Sequence, residues 1–130
     1  MTSASVIVCA HTEERWPVLA EAVEAVLAQS PPPLELLLVI DHNEALLERA
    51  RAEWSEPVRV KANEEGRGLS GARNTGVRHA RGDIVVFLDD DAVPEPGWLQ
   101  GHAAAYASSD VMGAGGTVSP RWATPRPICP

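Results

Sequence analysis

The strongest constraint on how this chain can fold is a run of five apolar residues, positions 84–88 (IVVFL), that leads directly into three aspartates at positions 89–91. Gly82 and Pro94 bound the run, and an apolar run this short is typical of a buried strand in a parallel sheet. The aspartates then fall at the carboxyl end of the strand, where ligands bind in open α/β sheets. Three adjacent carboxylates repel one another, and a hard divalent metal ion that carries phosphates is the compensation we expect.

Short apolar segments alternate with helical patterns along the chain. Asn43 and Ser70 are the predicted N-caps of the second and third helices, and Gly82 is expected to end the third helix in a left-handed conformation. Strands that alternate with helices predict an α/β fold with a mostly parallel sheet and right-handed crossovers. The predicted strands are residues 5–10, 34–40, 58–61, 84–88 and 111–118, and the predicted helices are residues 16–29, 44–54, 70–80 and 98–107.

Length and composition indicate one domain with its own core. The chain has 130 residues, of which 45% are hydrophobic, and its formal net charge of −7 argues against a nucleic-acid partner. No apolar run approaches the roughly 20 residues of a transmembrane helix, and the first residues do not resemble a signal peptide, so we expect a soluble, cytoplasmic chain. A domain is predicted at residues 1–120. The proline-rich tail at residues 121–130 is expected to be the cut end of a longer protein.

The aspartates at the strand ends have two interpretations. Asp89, Asp90 and Asp91 could place two carboxylates on one side, one for a metal ion and one for a sugar hydroxyl or a water, or they could form a solvated acidic turn. Their position after a buried strand favours the metal site. We expect the strand that ends at Asp41 to lie beside the strand that ends at the acidic triplet. The Asp41 carboxylate could therefore face the same crevice as the triplet. An ordinary Asx-type turn with Asn43 as the cap is the alternative, which spacing alone slightly favours.

A glycine-rich segment, residues 66–74 (GRGLSGARN), leads into the third predicted helix. Backbone N–H groups at a helix start bind phosphate oxygens, and Arg67 and Arg73 would add cationic donors. The segment matches neither the P-loop nor the dinucleotide-binding fingerprint. The alternative is that its arginines pair with the acidic triplet.

Four blocks carry a resemblance to a known family. Residues 5–8 (SVIV), 36–41 (LLLVID), 68–76 (GLSGARNTG) and 80–91 (ARGDIVVFLDDD) resemble, in this order and spacing, the amino-terminal half of family 2 glycosyltransferases. The similarity runs from about Ser5 to Pro120. It implies a GT-A fold, a Rossmann-like three-layer architecture that binds a nucleotide-diphosphate sugar.

The resemblance also implies roles for the polar residues. Asp41 matches the aspartate that binds the nucleobase, and Asp89 and Asp91 match the outer carboxylates of an Asp-x-Asp motif. In the family the last of these holds a Mn²⁺ or Mg²⁺ ion that bridges the diphosphate, and the first lies near the ribose or the sugar. The predicted donor-binding residues are Asp41, Arg67, Arg73, Asn74, Asp89 and Asp90, and the predicted metal ligands are Asp91 and Asp89.

The chain departs from the family pattern in two places. His11 stands where a tyrosine is usual after the first strand, which alters the wall of the pocket beside the base. The carboxylate general base of inverting members has no counterpart here and is expected beyond Pro130. The implied function is therefore metal-dependent, inverting transfer of a sugar to an unknown acceptor, which could be a glycan, a lipid or a small molecule. The alternative is a non-catalytic nucleotide-sugar binding module or an inactive fragment.

Overall fold

The computed structural model of the protein describes residues 3–105. Within that range strands and helices alternate, as the sequence predicts. In chain order the elements are β1 (Ala4–Ala10), a 3₁₀ turn (Glu13–Arg15), α1 (Trp16–Leu27), β2 (Glu35–Ile40), α2 (Glu44–Glu53), β3 (Val58–Ala62), α3 (Leu69–His79), β4 (Ile84–Asp89) and α4 (Trp98–Ala105). The predicted strand at residues 111–118 and the proline-rich tail lie outside the described residues.

The four described strands form one parallel sheet in the order β3-β2-β1-β4. From β1 the chain moves through β2 to β3 on one side, and β4 then takes its place on the opposite side of β1. The prediction of a parallel α/β sheet is confirmed. Because the strand order reverses at β1, a crevice opens at the carboxyl ends of β1 and β4, where open α/β folds bind their ligands.

Helices cover both faces of the sheet, which gives three layers. On one face Val6 and Val8 of β1 pack with Leu38 of β2 and with the buried sides of α1 and α2. On the other face Ile7 of β1 packs with Ala72 of α3. Since β1 and β2 are covered on both sides, their apolar residues run without interruption rather than alternating with polar ones.

β4 is less buried than its apolar sequence predicts. Among the described strands it pairs only with β1, so it forms an edge of this four-stranded sheet. Val86 faces the α1 side and is buried, whereas Phe87 points to the α3 side and is 44% exposed. The prediction of a strand here is confirmed and the prediction that it is buried is wrong, because no described element covers its α3 side completely.

Two of the three predictions about helix ends are wrong. The Asn43 cap is confirmed, since its Oδ1 accepts a hydrogen bond from the Leu46 N–H at 3.0 Å. However, α3 begins at Leu69 with Gly68 as its N-cap at φ 131°, so Ser70 lies inside the helix. Gly82 does not adopt the left-handed conformation. A Cβ there would lie 2.7 Å from the Ser5 backbone nitrogen, so Gly82 instead allows close contact with β1.

No helix within residues 3–105 combines the length and the apolar character needed to cross a bilayer.

Candidate functional site

A cavity of about 290 Å³ lies in the crevice at the carboxyl ends of β1 and β4. Its walls come from the end of β1, the 3₁₀ turn, the first turns of α3, and the end of β4 with the acidic triplet. The polar or charged residues that line it are His11, Arg15, Arg73, Asp89, Asp90 and Asp91, beside the apolar Leu69 and Phe87. The acidic triplet and Arg73, which the sequence singled out, thus line one cavity together with Arg15 and Leu69, which it did not single out.

The three aspartates do not point the same way. The side chains of Asp89 and Asp91 are exposed, whereas that of Asp90 turns inward and is only 10% exposed. Asp89 pairs across the sheet with Cys9 and so lies on the α3 face. The outer two carboxylates are therefore available to a ligand, and the central one is packed into the protein.

Arg15 is the partner of the buried carboxylate. Its Nη1 donates to Asp90 Oδ1 at 3.2 Å and to Oδ2 at 3.3 Å. Burial raises the pKa of the Asp90 carboxyl, and the attraction and hydrogen bonds of Arg15 act against that rise. The sequence does not predict this pairing, because no local pattern marks a contact across 75 residues.

Arg73 of α3 also lines this cavity. Its Nη2 lies 3.7 Å from Asp89 Oδ1, and its guanidinium lies 5.3 Å above the Phe87 ring. The interpretation in which an arginine of the glycine-rich segment pairs with the acidic triplet is thus confirmed for Arg73. Arg67 and Asn74 are exposed and line neither of the two cavities at this edge of the sheet, so their predicted contacts with the donor stay predictions.

Asp41 lies on the far side of β1 from the acidic triplet. β1 separates β2 from β4, so Asp41 does not end the strand beside β4, which corrects the expectation from the sequence. Asp41 nonetheless lines a second cavity of about 60 Å³. This cavity shares Cys9, His11 and Leu69 with the larger one, so the two cavities adjoin across the end of β1, and together they are called the cleft.

The Asp41 carboxylate is closely surrounded by donors. Oδ1 accepts from Asn63 Nδ2 at 2.9 Å and lies 2.6 Å from His42 Nδ1, while Oδ2 accepts from the Gly68 N–H at 2.9 Å. Burial alone would raise the pKa of this carboxyl, but the hydrogen bonds from Asn63, His42 and Gly68 outweigh it and hold the pKa below its usual value. Asp41 is therefore charged at neutral pH. The Gly68 N–H, which the sequence suggested for phosphate, binds Asp41 in this structure.

Asn63 connects this carboxylate to α3. Its Nδ2 donates to Asp41 and to the Gly66 carbonyl, and its Oδ1 accepts from the buried Thr75 hydroxyl at 3.0 Å. The Thr75 hydroxyl oxygen in turn accepts from the Glu64 N–H. The loop between β3 and α3 is thus held by a chain of hydrogen bonds that ends on Asp41.

The exposed carboxylates at the larger cavity suit a divalent metal ion that a bound ligand also coordinates. Residues 3–105 contain no group of three or more His, Cys, Asp or Glu side chains arranged to hold a metal ion. Asp89 and Asp91 offer two exposed carboxylates at the mouth of the cavity. Mg²⁺ is commonly bound through one or two carboxylates, with phosphate and water oxygens completing its coordination, and the arrangement fits this mode.

The sequence of this chain is similar to those of known proteins. The family model described as glycosyl transferase family 2 matches residues 5–123. The glucosyl-dolichyl phosphate glucuronosyltransferase of Haloferax volcanii is 39% identical over 126 residues, which cover 95% of this chain and 40% of that protein. The polypeptide N-acetylgalactosaminyltransferase 15 of Mus musculus is 37% identical over 106 residues, which cover 77% of this chain and 16% of that protein. The chain thus spans less than half the length of these relatives.

A solved structure shares the fold. A mannosyltransferase from Pyrobaculum calidifontis in complex with GDP-Man and Mn²⁺ matches with a TM-score of 0.71 and 28% sequence identity. The match covers 85% of this chain and 34% of the mannosyltransferase. The Rossmann-like GT-A architecture expected from the sequence is confirmed.

Proposed function

Because this chain belongs to glycosyl transferase family 2, we propose that it is the donor-binding portion of a glycosyltransferase. The proposed reaction transfers a hexosyl unit from a nucleotide-diphosphate sugar to a glycan, lipid or small-molecule acceptor, with inversion at the anomeric carbon. The relatives are named as transferases of sugar units, which supports the reaction class. The activity is proposed for the whole protein, since the chain spans 40% of its archaeal relative.

The observation that carries this proposal is the pair of adjoining cavities at the end of β1. Asp41 lines one end, and Asp89 and Asp91 line the other. A nucleotide diphosphate has the matching polarity, with hydrogen-bond donors on its base and negative charge on its phosphates. We place the base at Asp41 and the diphosphate near Arg73, whose guanidinium suits phosphate oxygens.

Charge decides how the diphosphate is held. The exposed carboxylates of Asp89 and Asp91 would repel a diphosphate by themselves, and Arg73 offsets only one of them. We propose that Asp91, with Asp89 as the second carboxylate, holds a Mn²⁺ or Mg²⁺ ion at this end of the cleft. When bound, such an ion neutralises the charge that grows on the departing diphosphate. The Mn²⁺ in the structurally similar mannosyltransferase complex supports this assignment.

The metal assignment is tested by calorimetry with uridine diphosphate and guanosine diphosphate, each with and without Mn²⁺. We expect Asp91→Ala to abolish the part of the affinity that depends on Mn²⁺. The matched control is Asp83→Asn, because Asp83 is an exposed aspartate at the other end of β4 and should leave that affinity unchanged. Unchanged Mn²⁺-dependent binding in Asp91→Ala would remove Asp91 from the metal site.

A non-catalytic nucleotide-sugar binding module is the second candidate. It is favoured by one observation: the carboxylates that line the described cleft are Asp41 and Asp89–Asp91. We propose binding roles for Asp41, Asp89 and Asp91, and Asp90 pairs with Arg15, so none of them is assigned as the general base. The general base expected beyond Pro130 therefore stays a prediction. Mn²⁺-stimulated hydrolysis of a nucleotide sugar by the purified chain would support the enzyme, and binding without turnover would support the module.

A further inference from the structure

His42 has an unusual backbone conformation beside the base end of the cleft. Its φ is 51°, the one left-handed non-glycine residue in the described part of the chain. Only a few per cent of non-glycine residues adopt this region, although histidine is enriched among them, and such residues cluster at functional sites. The conformation brings Nδ1 of the exposed His42 ring to 2.6 Å from Asp41 Oδ1. Because Asp41 is an ionised acceptor, the ring nitrogen donates in this contact.

The bonds to Asp41 leave little room for a ligand. Each carboxylate oxygen can accept about two hydrogen bonds. Oδ1 takes one from Asn63 and one from His42, so it is filled, whereas Oδ2 takes one from Gly68 and has one position left. Of the two oxygens of Asp41, only Oδ2 therefore has an acceptor position left for a ligand in this arrangement.

The nucleobases differ in the number of hydrogen bonds that they can donate to one carboxylate. Guanine presents two neighbouring donors, N1–H and N2–H, which pair with both oxygens of one carboxylate. Uracil and thymine present one donor, N3–H, which needs one oxygen. We propose that His42 is a specificity-determining residue: by occupying Oδ1 of Asp41, it makes the site accept a single-donor pyrimidine such as uracil and reject guanine. This inference rests on the proposed function, since it assumes that a nucleotide occupies the cleft.

His42 is the replaceable member of this arrangement. Asn63 is tied to Thr75 and to the Gly66 carbonyl, and Gly68 is the N-cap of α3, so both donors belong to the framework of the loop. The His42 ring instead lies at the surface. Its removal frees Oδ1 while the other donors stay in place, which would give guanine its second acceptor.

Two substitutions separate the effect of the His42 hydrogen-bond donor from the effect of its imidazole ring. His42→Gly accepts the left-handed backbone and removes the donor. His42→Asn also tolerates this backbone, and its Nδ2 is bonded to Cγ, as Nδ1 is in histidine, so the donor is kept. The pair therefore tests the hydrogen bond to Oδ1 rather than the size of the side chain.

The experiment is calorimetric titration of the 130-residue chain with uridine diphosphate and with guanosine diphosphate in the presence of Mn²⁺. An unmatched buried donor lowers affinity by about tenfold or more, so we expect at least that preference for uridine diphosphate in the natural chain. His42→Gly should raise the affinity for guanosine diphosphate about tenfold and leave that for uridine diphosphate within about threefold. His42→Asn should keep the original preference.

The outcomes distinguish this inference from the proposed function. If both nucleotides bind the natural chain equally well, or if His42→Gly leaves their ratio unchanged, the selectivity inference is overturned while nucleotide binding stands. Loss of uridine diphosphate binding in His42→Gly also overturns it, because His42 would then be needed for binding rather than exclusion. If neither nucleotide binds the natural chain, the proposed function fails and this inference fails with it.

Discussion

Arg15 Nη1 lies 3.2 Å from Oδ1 and 3.3 Å from Oδ2 of Asp90, so a single guanidinium nitrogen contacts both oxygens of the central aspartate. The contact joins the 3₁₀ turn after β1 to the turn after β4, at the mouth of the larger cavity. It keeps Asp90 turned inward while its two neighbours face the solvent. The pair thus holds the acidic triplet in place, while Asp89 and Asp91 remain its two exposed carboxylates.

Replacing Arg15 should destabilise the fold. Arg15→Gln leaves the buried Asp90 carboxylate without its cation. Because Arg15 itself is half exposed and therefore partly screened by solvent, we expect the loss in the free energy of unfolding to be limited to about 2 kcal/mol. Arg15→Lys keeps the charge and should recover part of that loss. Urea unfolding measures both. The control is Arg51→Gln on the exposed side of α2, expected within about 0.5 kcal/mol of the natural chain; an equal loss there would contradict a specific role for Arg15.

Glu35 should make the stability of the chain sensitive to acid. It is a buried carboxylate at the start of β2, and it accepts hydrogen bonds from Arg59 at 2.6 Å and from the Ser5 hydroxyl and the Arg81 N–H, both at 2.7 Å. Burial would raise its pKa, but the hydrogen bonds from Ser5, Arg59 and Arg81 outweigh burial and lower the pKa from 4.5. A lowered folded-state pKa stabilises the protein above the unfolded-state pKa, and this contribution disappears as pH falls through the folded-state value.

Glu35→Gln tests that dependence. At pH 7 the substitution leaves the nearly buried Arg59 without its anionic partner, and we expect a loss of about 3 kcal/mol in unfolding free energy. As the pH falls below 4.5, the natural chain loses its own Glu35 contribution, so the gap between the two proteins should narrow. Urea titrations at a series of pH values measure the gap. A gap that stays constant into acid would show that the ionised form of Glu35 has no special stabilising role.

Gly82 should not tolerate a side chain. A Cβ there would lie 2.7 Å from the Ser5 nitrogen and 2.9 Å from the Ala4 carbonyl carbon, and these backbone atoms belong to β1. We expect Gly82→Ala to lower the free energy of unfolding by about 2 kcal/mol, since β1 and β4 would have to separate locally. Gly66→Ala is the control because a Cβ there meets nothing within 4 Å. Similar unfolding midpoints for the two variants would refute the close contact.

Arg73 and Arg67 should contribute unequally to nucleotide binding. Arg73 lines the larger cavity beside Asp89, whereas Arg67 is exposed and lines neither cavity. A hydrogen bond to a charged group contributes about 1.5–3 kcal/mol, so Arg73→Ala should weaken binding of uridine diphosphate with Mn²⁺ by about tenfold or more. Arg67→Ala should change it by less than about threefold. Calorimetry that found the larger loss in Arg67→Ala would move the diphosphate out of the position proposed for it.

Much of the site could be predicted because its parts follow local patterns. The short apolar runs of β1, β2 and β4 identify strands, and a carboxylate directly after such a run must lie at the carboxyl edge of a parallel sheet. This reasoning placed Asp89 and Asp91 at the larger cavity and Asp41 at the same edge. It misplaced Asp41 relative to the triplet, because the order of strands in a sheet is set by packing and by the crossovers rather than by their order in the chain.

The sequence by itself determined the alternation of strands and helices, the Asn43 cap and the edge of the sheet at which the carboxylates gather, since each follows from residues within a few positions of one another. Only the tertiary structure decided that Asp90 turns inward to Arg15 and that Glu35 is a buried anion. It also showed that Gly82 allows close contact with β1 and does not end a helix in the left-handed conformation. The physical reason is separation along the chain. These contacts join residues 24 to 77 positions apart, and a contact at that distance exists only after the strands have been brought side by side.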